Sequence, residues 1–354
     1  MPTLRIEAAD TLFFRDGKPF TMGEDTQAAG IEIPPPSVLH GAMRTAFIAN
    51  KLNEDSLLTP LIDLSNDISI KGFYLNHKTE HETDSYFSMP RDLVVPQKKN
   101  KNDSWKAVPL DRKGTPQYAN SKTEEILCFD SNRKIEEESF LLEQMEFQSY
   151  LNATSNVFYP KLISDFFATE PKIGIGRSNS TNISDNGLLY RSVQKRPKEI
   201  SFLIDVEGTI NAEAKKGYLQ LGGEKKVAFW EEVKPIVIDC PLIDSTFFKI
   251  YLSTPAFFED GWKPTDFLKK HGLKLLTAAI GRPLQLGGWD VEVKKPKPMW
   301  QAVPAGSVYY LEASSKEKAS ELAQLVHGQS ITDNIDSKFN LKQQGFGIAY
   351  IGRI

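Results

Sequence analysis

Residues 247–352 repeat one order twice over, and that order leaves few folds open. "FFKIYLST" at 247–254 alternates apolar and polar like a half-buried strand. "PTDFLKKHG" at 264–272 is a short helix stopped by its glycine. "LKLLTAAIG" at 273–281 and "SVYYLEA" at 307–313 are strands. "SSKEKASELAQLVHG" at 314–328 is a helix with Ser314 or Ser315 as cap, and "FGIAYIG" at 346–352 is the last strand. Strand, helix, strand, strand, helix, strand is the ferredoxin-like split unit.

The first half follows the same order around a long interruption. "LRIEAAD" at 3–9 is a strand. "PPPSVLHGAMRTAFIAN" starts a helix, with Ser37 as N-cap and Leu39, Ala42, Met43, Ala46 and Phe47 as its apolar stripe. "ISIKGFYLN" at 68–76 and "ISFLIDVEG" at 200–208 are strands, "NAEAKKGYLQL" at 211–221 a short helix, and "KKVAFWEEV" at 225–233 a strand. The fold expected is α+β, two tandem ferredoxin-like (βαββαβ, RRM-like) domains. The first covers 1–235 and carries an insertion at about 77–198 that includes a β-hairpin; the second covers 236–354.

Net charge is −3, so the whole molecule is no general polyanion binder and an RNA surface must be a local patch. Charge is segregated inside the insertion. Residues 90–122 hold eight basic residues against three acids, with Trp105 and Tyr118 interleaved; residues 123–146 hold eight acids against two bases. Cations among aromatics suit phosphate neutralisation with base stacking. Two cysteines make no disulfide framework, and the N-terminus reads as a strand and not as a leader, so a reducing cytoplasm and no membrane are expected.

Catalytic motifs are missing. Neither a P-loop nor a GxSxG elbow occurs. His77 and His81 fall in a polar stretch read as a loop, so no metal site and no cofactor are expected. His271 and His327 stand at helix ends, where a cation favours the dipole. His40 and Arg44, at i,i+4 on the flank of the first helix, could act on or bind a phosphodiester. Glycine pairs recur at 174/176, 222/223, 287/288 and 345/347, where backbone N–H groups could approach phosphate or simply serve turns.

Five strings, "DTLFFRDGKPF" (10–20), "IPPPSVLHGAMRTAF" (33–47), "LQLGGE" (219–224), "AVPAGSVYYL" (302–311) and "GFGIAYIG" (345–352), together resemble the subunit 3 family of the type III-B CRISPR Cmr complex, in the RAMP superfamily. The resemblance implies a non-catalytic subunit that holds the 5′ tag of the crRNA. It also implies docking on the large polymerase/cyclase-like Cmr subunit 2 and the backbone Cmr subunit 4. "KIGIGRSNSTNISDNGLLYR" at 172–191 is similar to the family's glycine-arginine hairpin. It offers Lys172, Gly174, Gly176, Arg177, Ser178, Asn179, Thr181 and Arg191 for RNA. Arg15, His40, Arg44, Gly345 and Gly347 complete the candidate set. Two alternatives stay open: a metal-independent RAMP endoribonuclease with His40 as acid–base group, and a pure scaffold.

Overall fold

The computed structural model describes residues 1–14, 27–28, 31–54, 68–78, 83–100, 102–116, 123–177, 184–208, 215–290, 293–336 and 338–354, with backbone alone at 27–28, 50–54, 175–177, 184–191 and 225. The fold is mixed α/β, rich in sheet and poor in helix. Two antiparallel sheets dominate. The larger runs Lys161–Leu162, Phe140–Glu143, Thr83–Ser88, Ser69–Lys78, Ile200–Glu207, Thr3–Ala8, Val227–Val233, Lys216–Gln220 across its width. The smaller runs Lys274–Ala279, Val308–Glu312, Phe247–Leu252, Ile348–Gly352, Gln329–Ser330. Ranked in chain order, Ser69–Lys78, Ile200–Glu207, Thr3–Ala8 and Val227–Val233 of the large sheet and the first four strands of the small one share the spatial order 2-3-1-4.

Local sequence explains most elements. Leu4 and Ile6 are buried on one face of Thr3–Ala8, while Arg5, on the other face, ion-pairs with Glu231, its partner in register. The helix Pro36–Glu54 buries Leu39, Ala42, Met43 and Phe47 as its period requires. It begins at Pro36, where a missing N–H costs nothing, so Ser37 lies inside the helix and is not its cap. Ser315 does cap Lys316–Val326, its Oγ accepting from the Lys318 N–H at 3.2 Å.

One expected helix is absent. Lys216–Gln220, read as part of a helix over 211–221, is an edge strand beside Val227–Val233. Gly217 is a poor helix former and here leaves room for an indole: a Cβ on it would lie 2.8 Å from Trp230 Nε1. Tyr218 packs edge-on to Phe229 across the pair, 5.7 Å between centroids.

The small sheet is covered on both faces. Phe248, Ile250, Leu252, Tyr309, Leu311 and Ile351 pack under the helices Thr265–His271 and Lys316–Val326. Tyr251, Val308, Tyr310, Ile348 and Tyr350 join the core of the first half. Phe147 lies 4.8 Å from Tyr251 and 5.8 Å from Tyr350, ring to ring. The tyrosine hydroxyls are hydrogen-bonded inside this contact. Tyr350 meets Tyr74 at 3.0 Å, Tyr74 donates to Asp205 at 2.6 Å, and Tyr251 donates to the Ser88 carbonyl at 2.7 Å. Tyr150 and Tyr310 both donate to the buried Asp92, with Lys249 Nζ 3.8 Å from the same carboxylate. Burial pushes the Lys249 pKa down to about 8, with Asp92 opposing the shift. Aromatics on this face therefore hold the two halves together and cannot stack bases, as an open RNA-recognition sheet would.

The segregated charges of the insertion meet each other. Asp111–Gly114 pairs with Glu125–Cys128. Arg112 makes a two-pronged bond to Glu125 at 2.8 and 3.0 Å, and Lys113 reaches Asp130 at 3.1 Å. Trp105 carries the Lys98 ammonium 3.7 Å from its ring centroid and meets Phe140 in a T-shaped pair. Basic and acidic runs thus neutralise one another over this ribbon; Tyr118 lies outside the described residues. Among the described residues no helix is long and apolar enough to cross a membrane.

Candidate nucleic-acid interface

Two long strands, Phe167–Arg177 and Ser184–Pro197, pair antiparallel as a ribbon apart from both main sheets, and Gln27–Ala28 adds a short third strand. The register sets Lys172 opposite Ser192, Ile173 opposite Arg191, Gly174 opposite Tyr190 and Arg177 opposite Ser184, with an irregularity between Ile175 and Arg177. Lys172, Gly174, Gly176, Arg177 and Arg191 of the candidate set therefore share one ribbon. Ile173 is 66% exposed on it, an apolar side chain left open among the described residues. Ser178, Asn179, Thr181 and Arg15 lie outside the described residues.

The base of the ribbon is pinned. Leu12 and Lys195 exchange backbone hydrogen bonds at 2.7 and 2.8 Å, and Lys195 pairs with Glu32 at 2.6 Å. Lys172 reaches Glu224 at 2.6 Å. That bond holds the Glu224 carboxyl below the usual range, with Gln194 adding a second donor. Glu224 itself follows Gly222, which at φ +74 lies against the Phe13 carbonyl and the Phe14 ring. The 222/223 glycines thus build a turn that anchors the ribbon.

His40 differs from the expected flank position. It is buried, and its Nε2 donates to the Ile68 carbonyl at 3.0 Å. Burial pushes its pKa down to about 4, so the ring is neutral and inside the protein. It reaches no solvent-side phosphate and is poorly placed as an acid–base group. Arg44, one turn on, stays half-exposed. Lys297 from the far end of the chain bears electrostatically on His40 alongside Arg44. No spacing in the sequence signals that approach.

Gly345 and Gly347 also correct the expectation. Both are buried at positive φ, +89 and +71. The Gly345 N–H bonds the Lys342 carbonyl at 3.1 Å and the Gly347 N–H bonds the Pro255 carbonyl at 2.8 Å. Donors already engaged cannot cradle a phosphate. Their missing side chains instead admit Ile70 and Thr332.

The other described histidines make ring contacts within the fold. His77 sits in the strand Ser69–Lys78 and not in a loop, 3.7 Å from Glu199, while His81 lies outside the described residues. His327 donates from Nε2 to the Ile238 carbonyl at 2.9 Å and accepts at Nδ1 from the Ile351 N–H, so it is neutral and not the helix-end cation expected. Burial lowers its pKa, and that of His271. Among the described residues no group of three or more His, Cys, Asp or Glu is placed to hold a metal ion.

The family profile described as CRISPR-associated protein (Cas_Cmr3) matches residues 4–354. Among solved structures, a chain of the cryo-EM structure of the Type III-B Cmr-beta bound to cognate target RNA matches at TM-score 0.52 and 18% identity, covering 87% of this chain and 86% of that one. A chain of Type III-B Cmr-beta bound to cognate target RNA and AMPPnP (state 1) matches at TM-score 0.51 and 18% identity over the same shares. At that identity the likeness is one of fold. No curated protein matches in sequence.

Proposed function

The chain belongs to the CRISPR-associated Cas_Cmr3 family, and from that membership we propose that it is the non-catalytic subunit holding the crRNA 5′ tag in a type III-B effector. It would act in the cytoplasm, docked on the large polymerase/cyclase-like Cmr subunit 2 and the backbone Cmr subunit 4. The observation that carries the reading is the ribbon 167–197, which gathers the glycine and arginine positions of the 172–191 string on two paired strands. Its irregularity beside Gly176 leaves a stretch of backbone outside regular pairing, and a single-stranded RNA is read by such loops together with cations.

The shared 2-3-1-4 order supports two ferredoxin-like units, 1–235 and 236–354, the first with its second helix replaced by an edge strand. A neutral, enclosed His40 argues against the endoribonuclease reading. The test is crRNA affinity with and without the 5′ tag, for the chain alone and joined to the large subunit. Tag-dependent binding that strengthens in the pair is expected. Equal, weak binding to both RNAs would refute tag reading and leave a scaffold.

A further inference from the structure

Arg91 belongs to the first half of the chain and lies on two glycines of the second. It stands in the turn 90–93, closed by the Leu93 N–H on the Pro90 carbonyl at 3.0 Å, and its own N–H donates to the Gly306 carbonyl at 2.8 Å. A Cβ on Gly306 would lie 3.6 Å from Arg91 Cγ. A Cβ on Gly281 would fall on the guanidinium itself, nearest to Cζ, then 2.5 Å from Nε and 2.8 Å from Nη1. A point in the plane of a guanidinium lies nearer to a nitrogen than to the central carbon. Gly281 is therefore under the flat face of Arg91 and not against its edge. Gly281 has no left-handed φ that would call for glycine, so what its missing side chain provides is room for that face.

The group is held by one face and open elsewhere. Among the described residues the guanidinium donates no hydrogen bond and pairs with no carboxylate. Its neighbour Asp92 is turned inward, where Tyr150 and Tyr310 donate to it. Cover on the inner face pushes the Arg91 pKa down, with Tyr251 opposing, yet the residue is exposed and an arginine keeps its charge. Arg282, the residue after the Gly281 shelf, is exposed as well. Fixing a long side chain costs rotamer entropy, and no bond among the described residues offsets it. A guest that met the group as it already lies would bind without that ordering cost.

Two surfaces of the group remain for a guest. The rim of N–H donors fits the oxygens of a phosphate, and the outer face can stack a base. A nucleotide of single-stranded RNA uses both. An acidic side chain of a partner protein would use the rim and leave the outer face without a role.

We propose that Arg91, laid on Gly281 where the two halves meet, seats one phosphodiester of single-stranded RNA on its rim and stacks the adjoining base on its outer face. This contact uses no residue of the ribbon 167–197, and it rests on reading the chain as an RNA-binding subunit.

The test uses the full chain, joined to its large subunit, and a fluorescent crRNA. Arg91→Gln should weaken binding roughly tenfold, the scale of losing charge-assisted bonds. It should also lower the salt slope by about 0.7, the share of one single-strand phosphate. Arg91→Lys should keep the slope and still lose affinity, because an ammonium has neither the fork nor the face. Gly281→Ala is the sharper variant. Its methyl meets only the far end of a flexible side chain, so the urea midpoint should hold while the guanidinium leaves its shelf and crRNA binding weakens with every charge in place. Phenylglyoxal labelling read by mass spectrometry should show Arg91 reactive in the pair and protected once crRNA is bound, a readout that needs no variant. If crRNA binds and Arg91→Gln and Gly281→Ala both keep wild-type affinity, with Arg91 still reactive, this site is overturned while the proposed function stands. Protection of Arg91 by the large subunit without crRNA would make it a protein contact and overturn it too. If the wild-type pair binds no crRNA, the proposed function falls, and this contact with it.

Discussion

Gly345→Ala tests whether the C-terminal glycines serve packing or RNA. At φ +89 an alanine is strained, at roughly 1–2 kcal/mol. The added methyl would also stand 2.8 Å from Ile70 Cγ2, 2.9 Å from Ile70 Cβ and 3.3 Å from Pro36 Cβ. Those atoms belong to a strand start and a helix start, so neither yields freely, and overpacking adds roughly 1–3 kcal/mol. The expected loss is about 2–5 kcal/mol, read from urea unfolding of the full chain. Because the loss comes partly from one contact, Gly345→Ala/Ile70→Ala should destabilise by less than the two single variants summed. At low temperature, where the variant is folded, crRNA affinity should stay within about twofold of wild type, since the Gly345 N–H is already bonded to Lys342. A variant with wild-type urea midpoint that no longer binds crRNA would refute the reasoning on both counts.

Two further outcomes follow from buried groups. Asp92→Asn should cost about 3–5 kcal/mol in denaturant unfolding, because it leaves the Lys249 ammonium uncompensated beside Tyr150, and Lys249→Met in the same chain should recover part of it. His40, lowered to about 4 by burial, stays neutral in the folded chain while the unfolded chain takes up a proton below about 6.5. Its contribution is therefore complete above about pH 6.5 and is lost as pH falls toward 4, about 2 kcal/mol between pH 7 and pH 5. Comparing that pH dependence in wild type and His40→Gln should show the difference; equal slopes would mean that the ring is solvated.

Element type was legible where a segment decides its own structure. The small sheet is such a case: alternation in 247–254 and 307–313, the Ser315 cap, and Gly272 at φ +59 are local facts, and all the elements expected from them formed. The stretch 211–221 was misread because its decisive neighbour is remote. "KKGYLQL" has no strong period of its own, and Trp230, across the strand pair, sets Gly217 in a strand. His40 failed for the same reason in another form. Helical spacing puts it off the main stripe, yet the carbonyl of Ile68, just before the next strand, draws the ring inside.

Charge shows most plainly what a linear reading misses. The basic run 90–122 and the acidic run 123–146 look like two surfaces for two partners. Folded back on one another, Arg112 meets Glu125 and Lys113 meets Asp130, and the ribbon they form presents little net field. A charge run in sequence therefore points to a partner only after its complement within the chain is counted. On that count the acidic run answers Arg112 and Lys113 before any partner does.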